Sequence, residues 1–584
     1  MSRTPLTRVA VPIWARVARP RRCTGRATSQ GQGHGLIRAP GRVCSVRSAA
    51  TKSSPSTPTS GPPPPADLYG GRREFRDYFV THLPSSSLHP DPRSAFSSFH
   101  KLPRADSVPH TGDTPRTPAT FQTLVNRETT VVRIPLRNAK HHFGASTARG
   151  TRPTNEDTWQ AGVLDIPAFA KRPPASVTLR RSHPAAGEGR GADSASGDPQ
   201  VFYFGIFDGH GGTDCSTYLQ QQLHEYIQNT AAAVELQSSL PRDACLRDSG
   251  PGTGDRPIVQ GGNTARAAEL ERRLVQRWRS LVGGYFRRYV PAHFAHLADP
   301  AAGTAAADRM HGVTIDEILE YAFLRADLEF VAAQAARQTD DELAQVGRPV
   351  AQDQILYGPR HPRAAGDGAA PGRFKGGSTA SVALISTPTP TPFWHPDSAA
   401  SLLVSHVGDT RMLLCETATG DAVALTTDHH PSAPVEAARL RRYAATFVTD
   451  SFGEERISGL ANTRAFGDVQ SKRIGVSAEP EIRRVEMAPA EYAFLVLVSD
   501  GISGTLSDQE VVDVVKEAKT PDAGARAVVD LATEVSREGD NATCLVVRLG
   551  GWERRQEGGV GSLGTKEIRD WRRQEATDPR RSRR

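Results

Sequence analysis

Apolar residues along the chain fall into short unbroken runs and into stripes with a helical period. Val201–Phe207 reads VFYFGIF, and six of its seven residues are β-branched or aromatic. Such a run, ended here by Asp208-Gly209-His210-Gly211-Gly212, predicts a buried strand. Similar runs predict strands at Thr129–Leu136 (TTVVRIPL), Ser381–Ser386 (SVALIS), Ser401–Val407 (SLLVSHV), Tyr492–Ser499 (YAFLVLVS) and Ala542–Leu549 (ATCLVVRL). Arg411–Cys415 and Ala422–Leu425 read as meander strands, and Val163–Ile166 as a further short piece. A helical period marks Thr213–Thr230 (Tyr218, Leu219, Leu223, Ile227), Ala265–Val290 (Leu270, Leu274, Trp278, Leu281, Phe286) and Thr314–Gln338 (Ile315, Ile318, Leu319, Ala322, Phe323, Ala326). Shorter helices are predicted over Pro434–Tyr443, Ser507–Glu517 and Ala523–Arg537. Thr314-x-x-Glu317 and Ser507-x-x-Glu510 are capping boxes, which place two of these helix starts.

Composition reduces the 584 residues to one large core rather than several, since only 38% are apolar and 6% aromatic, against 43 Pro and 52 Gly. The core is assigned to 129–549, interrupted by polar insertions at 171–199, 241–262 and 340–373. Residues 51–128 read as low-complexity linker, typified by SSPSTPTSGPPPP at Ser53–Pro65. The basic tail 550–584 is expected to be disordered. Residues 1–66 contain no Asp or Glu but carry Arg3, Arg8, Arg16, Arg19, Arg21, Arg22, Arg26, Arg38, Arg42 and Arg47. That composition is typical of a mitochondrial transit peptide, assigned to 1–50, and implies a mitochondrial location, matrix or intermembrane space.

The net charge of +8 is concentrated at the two ends, without the interleaved aromatics of a single-strand binder, so no nucleic-acid partner is expected. The six cysteines are scattered with no C-x-x-C pair, which fits a reducing or organellar interior and no structural zinc. No stretch reaches the ~18–20 continuous apolar residues of a membrane span. A monomer is the default expectation.

Candidate chemistry changes the picture. Three apolar strands end in a Gly/Asp pair: Asp208-Gly209, Gly408-Asp409 and Asp500-Gly501. Asp540-Asn541 opens a fourth strand, and Glu156-Asp157 follows a loop that begins at Arg152. One such pair is an ordinary turn. Several carboxylates at strand ends in one domain suit a hard cation such as Mg²⁺ or Mn²⁺, which takes octahedral oxygen ligands. Two such ions ~3.5–4 Å apart can clamp phosphate oxygens. Arg152 could then bind a phosphoryl group with its planar fork, and His210 could protonate a leaving alkoxide.

The motifs RPTNED, FGIFDGHGG, GGSTA, SHVGDTR, DHHP, LANTRAFGD, LVLVSDGI and GDNATCLVV occur in this order across about 141–549. Together they resemble the metal-dependent serine/threonine protein phosphatases of type 2C, most like their fungal mitochondrial branch. The resemblance implies an α+β fold, an antiparallel β-sandwich of two sheets flanked by α-helices with a metal cleft at one end. It implies hydrolysis of phosphoserine and phosphothreonine in proteins by attack of a metal-bridging water, with two Mg²⁺ or Mn²⁺ ions and a weaker third.

Carried over by motif, Asp208 bridges the two metals and the Gly209 carbonyl binds one of them. Glu156, Asp500 and Asp540 complete the coordination of the second metal, some through water, and Asp157 stands behind them and orients a bound water. Asp409 shares the third site with Asp500. Arg152 binds phosphate, His210 is the general acid, and Asp468 of the GD motif is structural support. The sequence departs from the family at Asp500-Gly501, where ISGTL continues in place of an aromatic or acidic residue. The implied partners are phosphoproteins, with a mitochondrial dehydrogenase complex as candidate substrate. The alternatives are a catalytically inactive, partner-binding regulator on the same fold and a metal-dependent nuclease.

Overall fold

The computed structural model describes residues 141–171, 198–240, 258–294, 312–336, 376–389, 391–441, 455–457, 460–536, 539–555 and 560–577. It also describes strands at 78–84, 100–101, 129–135, 190–191 and 448–449. The expected leader at 1–50 and the insertion at 340–373 lie outside these residues.

Ten strands carry the fold. In chain order they are β1 (Phe143–Ala148), β2 (Thr158–Leu164), β3 (Val201–Phe207), β4 (Ala380–Ser386), β5 (Ala400–Val407), β6 (Arg411–Glu416), β7 (Ala422–Ala424), β8 (Glu481–Met487), β9 (Tyr492–Val498) and β10 (Ala542–Arg548). They form two five-stranded sheets, ordered β8-β5-β4-β3-β2 and β7-β6-β9-β10-β1. Every pairing within them is antiparallel.

The central strands read as unbroken apolar runs because each is buried on both faces. Phe202, Phe204 and Ile206 of β3 point between the sheets, where they meet Leu402, Leu414, Leu495 and Val547. Val201, Tyr203 and Phe207 point the other way, into a layer built from α1 (Asp214–Ala233), α2 (Thr264–Leu281) and α3 (Ile315–Ala336). On the far side Phe494, Val496 and Val546 pack under α4 (Asp508–Glu517) and α5 (Pro521–Val535). The result is a four-layer helix–sheet–sheet–helix stack, the sandwich expected from the sequence. Both capping boxes form: Thr314 N donates to Glu317 Oε2 at 2.9 Å, Glu317 N donates back to Thr314 Oγ1 at 3.2 Å, and Ser507 and Glu510 exchange the same pair.

Several boundaries differ. β1 was not predicted because FGASTA carries small residues in place of β-branched ones. The reason is α5, which lies against β1 so closely that a Cβ on Gly144 would sit 2.2 Å from the Asp522 backbone. β8 (EIRRVEM) was also missed, being an edge strand with charged residues on its exposed face. β2 starts at Thr158, directly after Glu156-Asp157, earlier than the Val163 start expected. Thr129–Pro135 is a strand, but it pairs with Tyr78–Pro84, inside the expected linker, and not with the sandwich.

The expected disordered tail 550–584 contains a helix, α6 (Val560–Thr577). Ionic contacts hold it: Arg569 meets Glu517 at 2.8 Å, Arg573 meets Glu534 at 3.0 Å, and Arg572 donates to the Thr505 carbonyl at 2.9 Å. Its apolar residues Ile568 and Trp571 are exposed, so the helix is not held by an apolar stripe facing the core. Among the described residues no helix is long and apolar enough to cross a membrane.

Overpacking a tight helix–strand contact costs about 1–3 kcal/mol. Gly144→Ala should therefore lower the unfolding free energy by that amount, seen by circular dichroism as a lower urea midpoint with the denaturant slope unchanged.

Candidate active site

Strand ends converge at one edge of the sandwich. β3 stops at Asp208, β5 at Gly408-Asp409, and β9 at Ser499, after which Asp500 opens a one-turn helix, Asp500–Ser503. One carboxylate oxygen from each of Asp208, Asp409 and Asp500 lies within 4.8 Å of the other two. The Asp500 N–H also donates to Asp208 Oδ2 at 3.3 Å. Asp409, expected to share a weaker third site with Asp500, lies in this cluster beside it.

The carboxylates crowd one another at the cost of their charge. Burial, then repulsion from Asp500, Asp157 and Asp409, raises Asp208 well above the ordinary range. Burial and Asp500 push Asp409 up to about 7, and burial with Asp540 and Asp157 brings Asp500 to about 6. Asp157 is raised chiefly by burial, and neither of its oxygens makes a well-formed hydrogen bond. Asp409 Oδ1 is likewise buried without a partner, while Oδ2 accepts from Asn462 at 2.9 Å. A hard divalent cation fits these observations: the donors are all oxygen, their charge lacks compensation, and three buried oxygens lack a well-formed hydrogen bond.

The remaining candidates stand around this cluster without joining the triad. Glu156 turns its Oε1 to the Gly212 N–H at 2.9 Å, and its carbonyl accepts from Ser216 Oγ at 2.6 Å. Asp540 gives Oδ2 to Arg152 at 2.7 Å and Oδ1 to the Asn541 N–H at 2.8 Å. Its charge still reaches both Asp157 and Asp500. The Arg152 side chain is 55% exposed, so most of its fork is open to a ligand. Asn541 pins the loop that presents Arg152 and Glu156, donating to the Arg149 and Thr154 carbonyls at 2.8 and 3.0 Å and accepting from Glu156 N at 2.8 Å.

His210 lies in a three-stranded ribbon of two-residue strands, Gly209–His210, Gly377–Ser378 and Phe466–Gly467. Its Nε2 is 3.0 Å from both oxygens of Asp468. Burial works against protonation of the ring, but the Asp468 hydrogen bond and charge, helped by Asp409 and Glu156, hold its pKa above the ordinary value. Asp468, expected only as structural support, is thus the partner of the histidine. Gly377 runs between the two. A Cβ there would lie 2.5 Å from Asp468 Oδ2 and 2.5 Å from the Phe466 carbonyl, so the GGSTA motif needs glycine at this position. His429 of the DHHP motif packs in the loop, stacked on His406 at 4.7 Å and accepting from the Gly408 N–H at 3.0 Å. Asn462, Ser216 and Asn541 were not singled out from sequence, although Asn462 and Asn541 sit inside quoted motifs.

Residues 296–540 match the family model of protein phosphatase 2C. Protein phosphatase 2C homolog 4 of Schizosaccharomyces pombe is 31% identical over 425 residues, 73% of this chain and 84% of that protein. The mitochondrial protein phosphatase 1K of Xenopus laevis is 35% identical over 177 residues, 30% of this chain and 44% of that protein. Among solved structures, serine-threonine phosphatase 2C from Toxoplasma gondii covers 70% of this chain and 94% of its own, at 16% identity and a TM-score of 0.38.

The raised carboxylates set the pH dependence of the metal-free protein. Folded Asp409 and Asp500 hold protons up to about 7 and about 6, whereas the unfolded chain releases them near the ordinary 3.8. The folded state therefore binds more protons in this window, and stability in EDTA should fall as pH rises from about 4 to about 7. Saturating Mn²⁺ should oppose that slope, so the gap between melting temperatures with Mn²⁺ and with EDTA widens with pH. A non-zero gap that does not change with pH would show that cation binding is not linked to the protons of this cluster, and the absence of any gap would show that it does not take the cation.

Proposed function

The chain belongs to the protein phosphatase 2C family and is a protein serine/threonine phosphatase, and on that premise we propose how its site works. The cofactor is Mg²⁺ or Mn²⁺, as two ions with a weaker third. The carboxylates of Asp208, Glu156, Asp500 and Asp540 and the Gly209 carbonyl would hold the pair, with Asp157 behind them, and Asp409 and Asp500 would hold the third. The observation that carries this reading is the converging triad Asp208, Asp409 and Asp500, with three buried oxygens nearby that lack partners. When bound, such ions neutralise phosphoryl oxygens and lower the pKa of the attacking water.

The protein's own groups do the rest. Asp540 fixes one amino group of Arg152, and the free part of the fork receives phosphoryl oxygens and orients them in line. Asp468 holds His210 by Nε2 and favours the charged ring, which leaves Nδ1–H to protonate the departing serine or threonine oxygen. No covalent intermediate on the protein is required.

We also propose that residues 1–50 direct the chain to mitochondria, supported by their acid-free, arginine-rich composition and by the mitochondrial relative from Xenopus. A mitochondrial dehydrogenase complex controlled by phosphorylation is the candidate substrate, and the phosphatase acts as a monomer.

The full chain should hydrolyse a phosphothreonine peptide with Mn²⁺ or Mg²⁺ and stop on adding EDTA. Asp208→Ala should reduce turnover to background, and His210→Asn should cost about 10²–10⁴-fold in kcat. Metal-independent turnover, or an unaffected Asp208→Ala, would refute the metal site. Residues 1–50 fused to a fluorescent protein should carry it into mitochondria, and a cytosolic signal would refute the targeting role.

A further inference from the structure

The loop that carries Asp468 is anchored from outside the site. Its ribbon contacts are only two residues long, Phe466–Gly467 on Gly377–Ser378. Asp468 itself sits at φ 43°, ψ 49°, a left-handed conformation that an L-residue holds only when its surroundings impose it. The Asp468 N–H donates to the Gly376 carbonyl at 3.1 Å, and the anchor on the far side is supplied by α3. Asp327, near the middle of that helix, accepts from the Gly467 N–H at 2.9 Å through Oδ1 and from Lys472 Nζ at 2.5 Å through Oδ2. Lys472 donates again to the Ala465 carbonyl at 2.6 Å. Both side chains are 0% exposed. One residue pair therefore grips the chain at 465, 467 and 472, on both sides of Asp468. Phe466 adds an aromatic contact to Phe323, one helical turn before Asp327, with ring centroids 5.5 Å apart.

Stability alone is a poor reason for such a pair. Burying two charges carries a desolvation penalty that an apolar pair of similar volume would avoid. What an apolar pair cannot do is accept the Gly467 N–H and hold the Ala465 carbonyl, which together fix where the next carboxylate points.

We propose that Asp327 and Lys472 are positioning residues for the proton donor His210, acting through Gly467 and Asp468. The inference rests on the reading of His210 as donor to the leaving oxygen. A loosened Asp468 lets the imidazole drift from its acid geometry while the metal carboxylates, on other strands, stay in place. The loss should therefore depend on how much the leaving group needs a proton.

The test compares the full-length wild type, Asp327→Asn, His210→Asn and the two combined, on a phosphothreonine peptide and on p-nitrophenyl phosphate in Mn²⁺. The first substrate expels an alkoxide, and the second expels a stable phenolate. Asp327→Asn should lower peptide kcat by about 10-fold or more, within the range of general-acid effects, and leave peptide KM, the Mn²⁺ requirement and p-nitrophenyl phosphate kcat within about 2-fold. Added to His210→Asn it should cost less than about 2-fold more, because both act through one group.

Should Asp327→Asn not fold, the double variant Asp327→Leu/Lys472→Met removes both charges together and should show the same peptide-selective loss, at a melting temperature lowered by the Gly467 N–H and Ala465 carbonyl it leaves unpaired. Equal losses on both substrates, or full additivity with His210→Asn, would overturn the proposal. Failure of His210→Asn itself to discriminate the substrates would instead overturn the donor reading on which it rests.

Discussion

Three carboxylates held within 4.8 Å of one another are the constraint on which this structure turns. Left to themselves Asp208, Asp409 and Asp500 would separate, since each is part-buried, Asp500 and Asp409 raise the pKa of Asp208, and Asp500 raises that of Asp409. They stay together because the strands that end in them cannot move. β3, β5 and β9 are buried on both faces, between a sandwich interior and a helix layer, so shifting one end would break apolar packing on two sides at once. The apolar stack offsets a repulsion that a bound cation would remove.

The same economy governs the approach to the site. Loops supply Arg152, Glu156 and Asp540, and loops need ties. Asn541 provides three hydrogen bonds across the 149–156 turn, and the Asp540 carboxylate holds Arg152. The histidine comes on a ribbon too short to be rigid, and Asp468 completes it from a segment more than two hundred residues further along the chain. That segment in turn leans on Asp327 and Lys472, so the helix layer over one sheet reaches into the chemistry at its edge.

Much of this was legible in the chain. The apolar runs gave β3, β4, β5, β9 and β10 within a residue or so, because strands buried on both faces have no polar alternation to obscure them. The capping boxes located α3 and α4 for a local reason, reciprocal hydrogen bonds between residues three apart. The ordered motifs pointed to one metal-dependent family. The elements that went unread were those whose form is set by a neighbour. β1 is small because α5 lies on it, β8 is an edge strand, and α6 is held by arginines that meet Glu517 and Glu534.

By itself, then, the sequence determined the layers, the residue types at each strand end and the class of chemistry, since these depend on local pattern and on motif order. Only the tertiary structure decided which carboxylates meet. It drew Asp409 into the central triad, turned Glu156 toward the Gly212 N–H, gave Asp540 to Arg152 and paired Asp468 with His210. Those outcomes depend on contacts between segments tens to hundreds of residues apart, and on where a side chain points within a few ångströms. Neither quantity is carried by spacing along the chain.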